Sequence, residues 1–271
     1  MKQKYLAGAS KTKIQRAPVL GNLEGDTARV GGRVDLLGSL DKINRSIDQT
    51  GAIETLDRYQ QEAVDMVLGG KARQAFDIEK ESPKLRDLYG RGPWGHYTLM
   101  ARRLVESGVR FILVTAPIQY GGMPWDHHGS LDRDIPKISR QVDKPSAGLI
   151  ADLKQRGLLD ETIVIWSGEF GRLPTGQRGT GRDHNRFAFT TLVAGGGFRG
   201  GYAHGATDPF GYKAVDDLVS CPDLHATLLH QLGLDHDALS FRHSGRDETL
   251  TDSPVTEAQV VTELLQGPLR V

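Results

Sequence analysis

The sequence predicts an α/β fold with a mostly parallel central sheet, entered through an irregular and helical N-terminal segment. Two observations carry this. Amphipathic helices closed by glycine lead into short, near-continuous apolar runs at residues 109–115 and 163–166, a third run lies at 189–194 after a Gly/Arg-rich loop, and the segments that follow these runs hold acids and histidines. In open α/β sheets ligands bind beyond the carboxyl ends of the strands, so the second observation sets a site upon the first.

Composition bounds the rest. A chain of 271 residues, 38% hydrophobic and 25% charged, is ordinary globular material and long enough for a sizeable core. Thirty-four basic residues balance thirty-four acidic ones, so no net field draws the protein to nucleic acid or to an anionic membrane. Anion recognition has to be local. The single cysteine, Cys221, excludes an internal disulfide. The longest purely apolar runs, such as residues 111–114, are far too short for a transmembrane segment, and the basic start MKQKYLAGASKTK lacks the apolar stretch of a signal peptide.

Taken in order, residues 1–38 are rich in Gly, Lys and Arg without a sustained period and read as loop. Residues 40–68 turn helical, with Ile43, Ile47, Ile53, Leu56, Tyr59, Ala63, Met66 and Val67 three or four apart, divided at Gly51 and ended by Gly69 and Gly70. A short helix over 71–78 precedes Pro83. Residues 1–90 therefore form an irregular and helical segment, and residues 91–271 the α/β part. Tyr97, Met100, Ala101, Leu104 and Val105 make an amphipathic helix that Gly108 closes before the first apolar run. A helix over 146–156, capped by Gly157, precedes the second run, and Gly195, Gly196 and Gly197 turn the chain after the third. Pro222 opens a Leu-rich helix through Leu232, and a last helix lies near 257–265. Only three strands are clear and the first begins at residue 109, so the pattern reads as the C-terminal part of a larger α/β domain.

The chemistry concentrates in the strand-end segments. Asp126, His128, Glu169, Asp183 and His184 are the carboxylates and imidazoles that bind divalent metals, and all five follow predicted strands. The competing reading is that they are solvated loop acids paired with their histidines. Arg172, Arg178 and Arg182 crowd one segment and suit bidentate contact with an oxyanion, ordinary loop solubility being the alternative. The triple glycine suits a tight turn better than a phosphate cradle, because no helix pattern opens after it. Asp235, His236 and His243 read as a surface turn, and His225 and His230 as half-buried helix residues. Ser167 lacks the Gly-x-Ser-x-Gly elbow, so no nucleophile stands out.

The runs ARRLVESGVRFILV (101–114), WDHHG (125–129), GLIADLKQRGLLDETIVIWSGEFGRLP (148–174), GRDHN (181–185), LVAGGGFRGG (192–201) and DLHATLLHQLGLDH (223–236) closely resemble a bacterial family called domain of unknown function 1501. The resemblance covers roughly residues 85–255, and that family is grouped with the alkaline-phosphatase-like and sulfatase superfamily. It implies an alkaline-phosphatase-like three-layer α/β/α sandwich and a bimetal site for phosphate or sulfate esters. Asp126 and His128 look like an Asp/His ligand pair, Glu169 stands where relatives have the Asp of an Asp-His-Gly motif, and His184 looks like the last histidine ligand. Phe170 replaces the histidine paired with that late acid, and the early strand carrying the first metal acid and the Ser/Thr nucleophile has no counterpart. Family members often begin with a twin-arginine export signal.

These readings set the expectations. The first is a metal-dependent hydrolase of phosphate or sulfate esters using zinc, manganese, magnesium or calcium, acting on an anionic small-molecule or glycan ester. The second is a non-catalytic metal- or anion-binding module. The third is a structural protein of the cell envelope. The missing early strand predicts an incomplete site with little turnover by residues 1–271. The resemblance implies an exported, periplasmic protein; without a signal the chain reads as cytoplasmic.

Overall fold

A computed structural model describes residues 71–115, 125–177 and 179–267. The chain divides into two compact units, Met1–Ile78 and Glu79–Val271. Of the first, the described part includes helix α1 (Lys71–Phe76), which accounts for the short helix expected over 71–78. The expected loop of residues 1–38, the helices of residues 40–68, and Arg178 lie outside the described residues.

The second unit begins with three helices packed on one another: α2 (Pro83–Tyr89), α3 (Pro93–Glu106) and α4 (Leu131–Gln155). Helices α2 and α3 both start with proline at the first turn, where its missing N–H costs nothing, and the Ser82 hydroxyl accepts from Leu85 N to cap α2. Helix α4 starts fifteen residues earlier than the expected helix, whose predicted start was residue 146. Pro136 and Pro145 lie inside it. Each removes one helical hydrogen bond, which is why the sequence argues for a break there; burial of Val142, Pro145, Gly148 and Leu153 on one face holds the helix together regardless. Tyr89, Leu99 and Leu153 are fully buried in this layer, each large side chain worth about 1.5–3 kcal/mol of burial.

A charged cluster crosses the same layer. Arg102 is only 1% exposed and places Nη2 2.8 Å from Glu81 and Nε 3.0 Å from Asp152, with Nη1 on Glu106. Asp152 also accepts the Tyr89 hydroxyl at 2.8 Å and Arg156 Nε at 2.8 Å. A buried guanidinium is tolerated only when its donors are matched by carboxylates, and here three are supplied.

The sheet differs from the expectation. Among the described residues the strands form four two-stranded antiparallel sheets, and a mostly parallel central sheet is not present. Strand β1 (Val164–Trp166) pairs antiparallel with β4 (Leu192–Ala194), so the second and third apolar runs are neighbours but run in opposite directions. Between them β2 (Gly171–Arg172) pairs with β3 (His184–Asn185). Strands β5 (Ala206–Thr207) and β6 (Ala214–Asp216), then β7 (Ser240–His243) and β8 (Arg246–Thr249), make two further pairs. An apolar run reports burial, not pairing direction, and three-residue strands carry too little pattern to fix either partner or sense.

Residues 109–115 are not a strand. Phe111 is 89% and Leu113 83% exposed, with Ile112 and Val114 half-buried, so only alternate side chains are covered. Among the described residues no strand lies beside it to take its N–H and C=O groups, so the apolar run has no ladder to join there.

The C-terminal region closes around α5 (Cys221–Gln231), whose N-terminus is a capping box: Ser220 Oγ accepts from Asp223 N at 3.1 Å and Asp223 accepts from Ser220 N at 2.8 Å. Gln231 donates to Gly196 O, and Thr227 Oγ1 accepts from Val261 N, tying the helix to the triple-glycine turn and to the C-terminal segment. Gly195, Gly196 and Gly197 have φ of 78°, 50° and 81°, as the tight-turn reading requires. The helix expected near 257–265 is instead α6 (Ser253–Thr256) and a 3-10 turn (Thr262–Leu264), because the chain there bonds outward to α5 and to residues 197–199. No helix among the described residues is long and apolar enough to cross a membrane.

Candidate metal centre

Two backbone links draw the segment around Asp126 onto the β2–β3 hairpin, and a third closes the hairpin itself. Arg182 N donates to His127 O at 3.0 Å, Leu131 N to Thr180 O at 2.9 Å, and Leu173 N to Asp183 O at 2.8 Å. Two glycines make the approach possible. A Cβ on Gly171 would lie 1.9 Å from Ala188 O, and one on Gly181 would lie 2.2 Å from the His128 carbonyl, so any side chain at either position would push the strands and the loop apart. Asn185 is buried and holds its strand by donating to Tyr212 O and accepting from Phe187 N.

The result brings Asp126, His128 and His184 together, each offering one ligand atom, with all three atoms within 4.8 Å of one another. The two histidines meet the same carboxylate oxygen: Asp126 Oδ1 lies 2.9 Å from His128 Nε2 and 3.2 Å from His184 Nε2. Ligands around a tetrahedral zinc, bonded at about 2.0–2.1 Å, stand about 3.3 Å apart, so these spacings are close to those of a coordination shell.

His128 also has a partner behind it. Its Nδ1 is 2.7 Å from the Gln177 side-chain amide, a hydrogen bond that fixes the ring's orientation while its Nε2 faces Asp126. An outer partner on the second ring nitrogen is the usual companion of a metal-binding histidine. The donor set fits a divalent metal: two imidazoles and a carboxylate, half exposed, with room for further ligands.

The other predicted residues fall around this triad rather than in it. Arg172, the cross-strand partner of His184, donates from Nη1 to Asp126 Oδ1 at 2.6 Å and from Nη2 to Glu169 Oε1 at 3.0 Å. That bond holds the Asp126 carboxyl below its ordinary pKa, with His184 and His128 adding to it. Among the described residues Glu169 is therefore linked to the triad through Arg172. Asp183 Oδ1 accepts from the His184 backbone N at 2.8 Å and stands 4.0 Å from His128 Nδ1, so it lies beside both histidines without a hydrogen bond to either ring. Arg182 donates to Pro174 O, although it also borders the cleft described below. Phe170 packs against the His184 ring, centroids 4.4 Å apart, with the Arg172 guanidinium 5.3 Å from the Phe170 centroid.

Asp126, Glu169, Arg172, Arg182 and His184 open onto a cleft of about 1780 Å³ whose remaining walls include Phe111, Leu113, Ile165 and Trp166. That is larger than the usual small-molecule pocket of about 300–1,000 Å³, so the cleft alone selects no ligand. Ser167, at the end of β1, donates to Gly168 O or shares its hydrogen with Thr191 Oγ1, 3.0 Å away in each case. His225 and His230 are exposed rather than half-buried, and His236 is largely buried, with Nδ1 3.1 Å from Thr251 Oγ1 and 3.2 Å from Ser253 Oγ. Neither group approaches the triad within ligand distance.

Gln177 is the residue that reading the sequence misses. A lone glutamine in a Gly-rich loop carries no signal, and only the hairpin-like return at Gln177 and Gly181, with mutual N–H···O bonds of 2.8 Å, brings it to His128.

Residues 8–265 match the family described as Protein of unknown function (DUF1501). No curated protein matches the chain, and no solved structure does.

Proposed function

The chain belongs to the DUF1501 family, and from that premise we propose that it is a metal-dependent hydrolase of phosphate or sulfate esters, of the alkaline-phosphatase-like and sulfatase kind. The observation that carries the reading is the convergence of His128 Nε2 and His184 Nε2 on one oxygen of Asp126, with Gln177 behind His128. The finer fold, a three-layer α/β/α sandwich, belongs to the same proposal. Its support is the order of the motifs and the adjacency of β1 and β4; their antiparallel sense counts against it.

Within this reading Asp126, His128 and His184 hold the metal, which when bound supplies Lewis-acid polarisation of an ester oxygen. Gln177 orients the His128 ring, and Asp183 accepts from the His184 backbone beside it. Arg172, whose Nη2 is held by Glu169, supplies a cationic donor through Nη1 for the ester's anionic oxygens. Trp125 and Trp166, edge to face at 6.4 Å, line the cleft beside Asp126 with apolar surface.

One observation favours a second reading, a non-catalytic metal- or anion-binding module. Among the described residues no hydroxyl is hydrogen-bonded to the triad, and Ser167 is engaged with Thr191 and Gly168. Metal analysis of the purified chain, followed by turnover of aryl phosphate and aryl sulfate with zinc, manganese, magnesium or calcium, separates these. Metal-dependent turnover that His184→Ala abolishes supports the hydrolase. Metal retained without turnover supports the binding module, and no metal at all defeats the hydrolase and leaves the module only as an anion site.

A further inference from the structure

We propose that Arg172 is the triad's own counter-cation, which a metal ion displaces from Asp126, and that the displaced guanidinium then becomes the receptor for an anionic group. The inference rests on the metal reading above and assigns the order in which the site is filled.

The geometry starts from one oxygen. Asp126 Oδ1 receives Arg172 Nη1 at 2.6 Å as well as His128 Nε2 at 2.9 Å and His184 Nε2 at 3.2 Å. A metal ion held by the two imidazoles would sit on that same oxygen, beside the short charge-assisted bond from Arg172. A cation and a guanidinium side by side on one carboxylate also repel each other. Metal entry therefore competes directly with Arg172.

The arginine has somewhere to go. Its Nη2 stays on Glu169 Oε1 at 3.0 Å, and its guanidinium lies 5.3 Å from the centre of the Phe170 ring. Phe170 in turn packs against His184. A small rotation about these two anchors lifts Nη1 off Asp126 while keeping the guanidinium beside the metal position. In the metal-free state its charge is satisfied by two carboxylates, so an oxyanion gains little there. Once the metal has taken Asp126, Nη1 is left without its partner and faces the cleft that Arg172 and Glu169 both line. An anion bridging the metal and Arg172 then binds well, so metal and anion help each other.

Linkage makes the help reciprocal, and site–site couplings of this sort run to about 5–150-fold. The test is calorimetric titration of zinc alone, inorganic sulfate alone, and each in the presence of the other. It uses the wild-type chain, Arg172→Gln and Arg172→Lys, with His184→Ala as the control for the site. Arg172→Gln is expected to bind zinc at least about five-fold more tightly than wild type, because the competitor is gone. In wild type sulfate is expected to bind at least about five-fold more tightly with zinc present, and in Arg172→Gln that enhancement disappears. Arg172→Lys keeps a positive charge and restores part of the zinc penalty. Circular dichroism checks that each variant is folded. Zinc binding to Arg172→Gln that equals or falls below wild type overturns the exchange, as does sulfate affinity in wild type that ignores zinc. If zinc binds wild type and is lost in His184→Ala, such a result defeats Arg172's role and leaves the metal reading standing. Zinc bound by neither wild type nor Arg172→Gln defeats both.

Discussion

Arg172 and His184 face each other across the β2–β3 pair, and both side chains end on the same oxygen of Asp126. A two-residue strand pair thus sets an arginine and a histidine in competition for one carboxylate. The register does this: a slip of one residue would turn either side chain to the opposite face of the pair.

The outer partner of His128 should matter as much as its position suggests. Gln177→Leu removes the oxygen 2.7 Å from Nδ1 without touching Asp126 or His184. Zinc affinity by titration is expected to fall about 10–100-fold, as for other outer partners of metal-bound histidines, with the fold intact. An unchanged affinity would mean that Gln177 does not orient the His128 ring.

Gly171→Ala places a methyl group 1.9 Å from the Ala188 carbonyl oxygen, a backbone atom that cannot swing away. Overpacking of this sort costs about 1–3 kcal/mol, and separating β2 from β3 also carries His184 away from Asp126. Reduced stability in urea, together with lost zinc binding, is expected. Gly176→Ala is the control, since nothing lies within 4 Å of its added carbon. Equal stability of the two variants would show that the close approach of β2 to residue 188 is wrong.

Acid should weaken the helical layer. Burial works to raise the Glu81 pKa, but hydrogen bonds from Arg102 and Arg103 outweigh it and hold the carboxyl below its ordinary value. A depressed folded-state pKa means that the unfolded chain takes up the proton first. The stability Glu81 contributes is thus complete above the ordinary value of about 4.3 and is lost as pH falls below it. Asp223, where burial is likewise outweighed by its bonds to Ser220 and Gln259, acts with the same sign. Arg102→Ala leaves Glu81 and Glu106 without their buried partner and is expected to cost about 3–5 kcal/mol at pH 7, with a flatter loss on acidification. Urea unfolding at pH 7 and pH 4 measures both, and a pH dependence identical to wild type would remove Glu81 from the account.

The exposed run after α3 yields a prediction opposite to the one its composition suggests. Phe111 is 89% exposed, so Phe111→Ser should change stability by less than about 0.5 kcal/mol. A loss of 2 kcal/mol or more, in the range of a buried aromatic, would restore residues 109–115 to the interior of a sheet.

What the sequence made legible was local. Proline at a first turn, glycine at a helix end and leucines three and four apart located α3 and α5, and the glycines after residue 194 announced their turn. Asp126, His128 and His184 were legible as candidate ligands because carboxylates and imidazoles followed predicted strands, and the three do lie together. Strand partners were not legible: Val164 pairs with Ala194 through a return that begins thirty residues earlier in the chain, and nothing in the residues between fixes its direction. Glu169 was legible as an acid near the site, but its contact passes through Arg172, whose reach depends on the register of β2 against β3. The prolines within α4 misled for a related reason, since tertiary burial outweighed a local rule.

The central claim is that Asp126, His128 and His184 share one divalent metal. Crystals of the chain grown or soaked with zinc and measured at the zinc absorption edge test it most directly. The account predicts one anomalous peak about 2.0–2.2 Å from Asp126 Oδ1, His128 Nε2 and His184 Nε2, absent in His184→Ala. Zinc bound elsewhere with these three atoms still in their mutual hydrogen bonds, or no zinc at all, would contradict it.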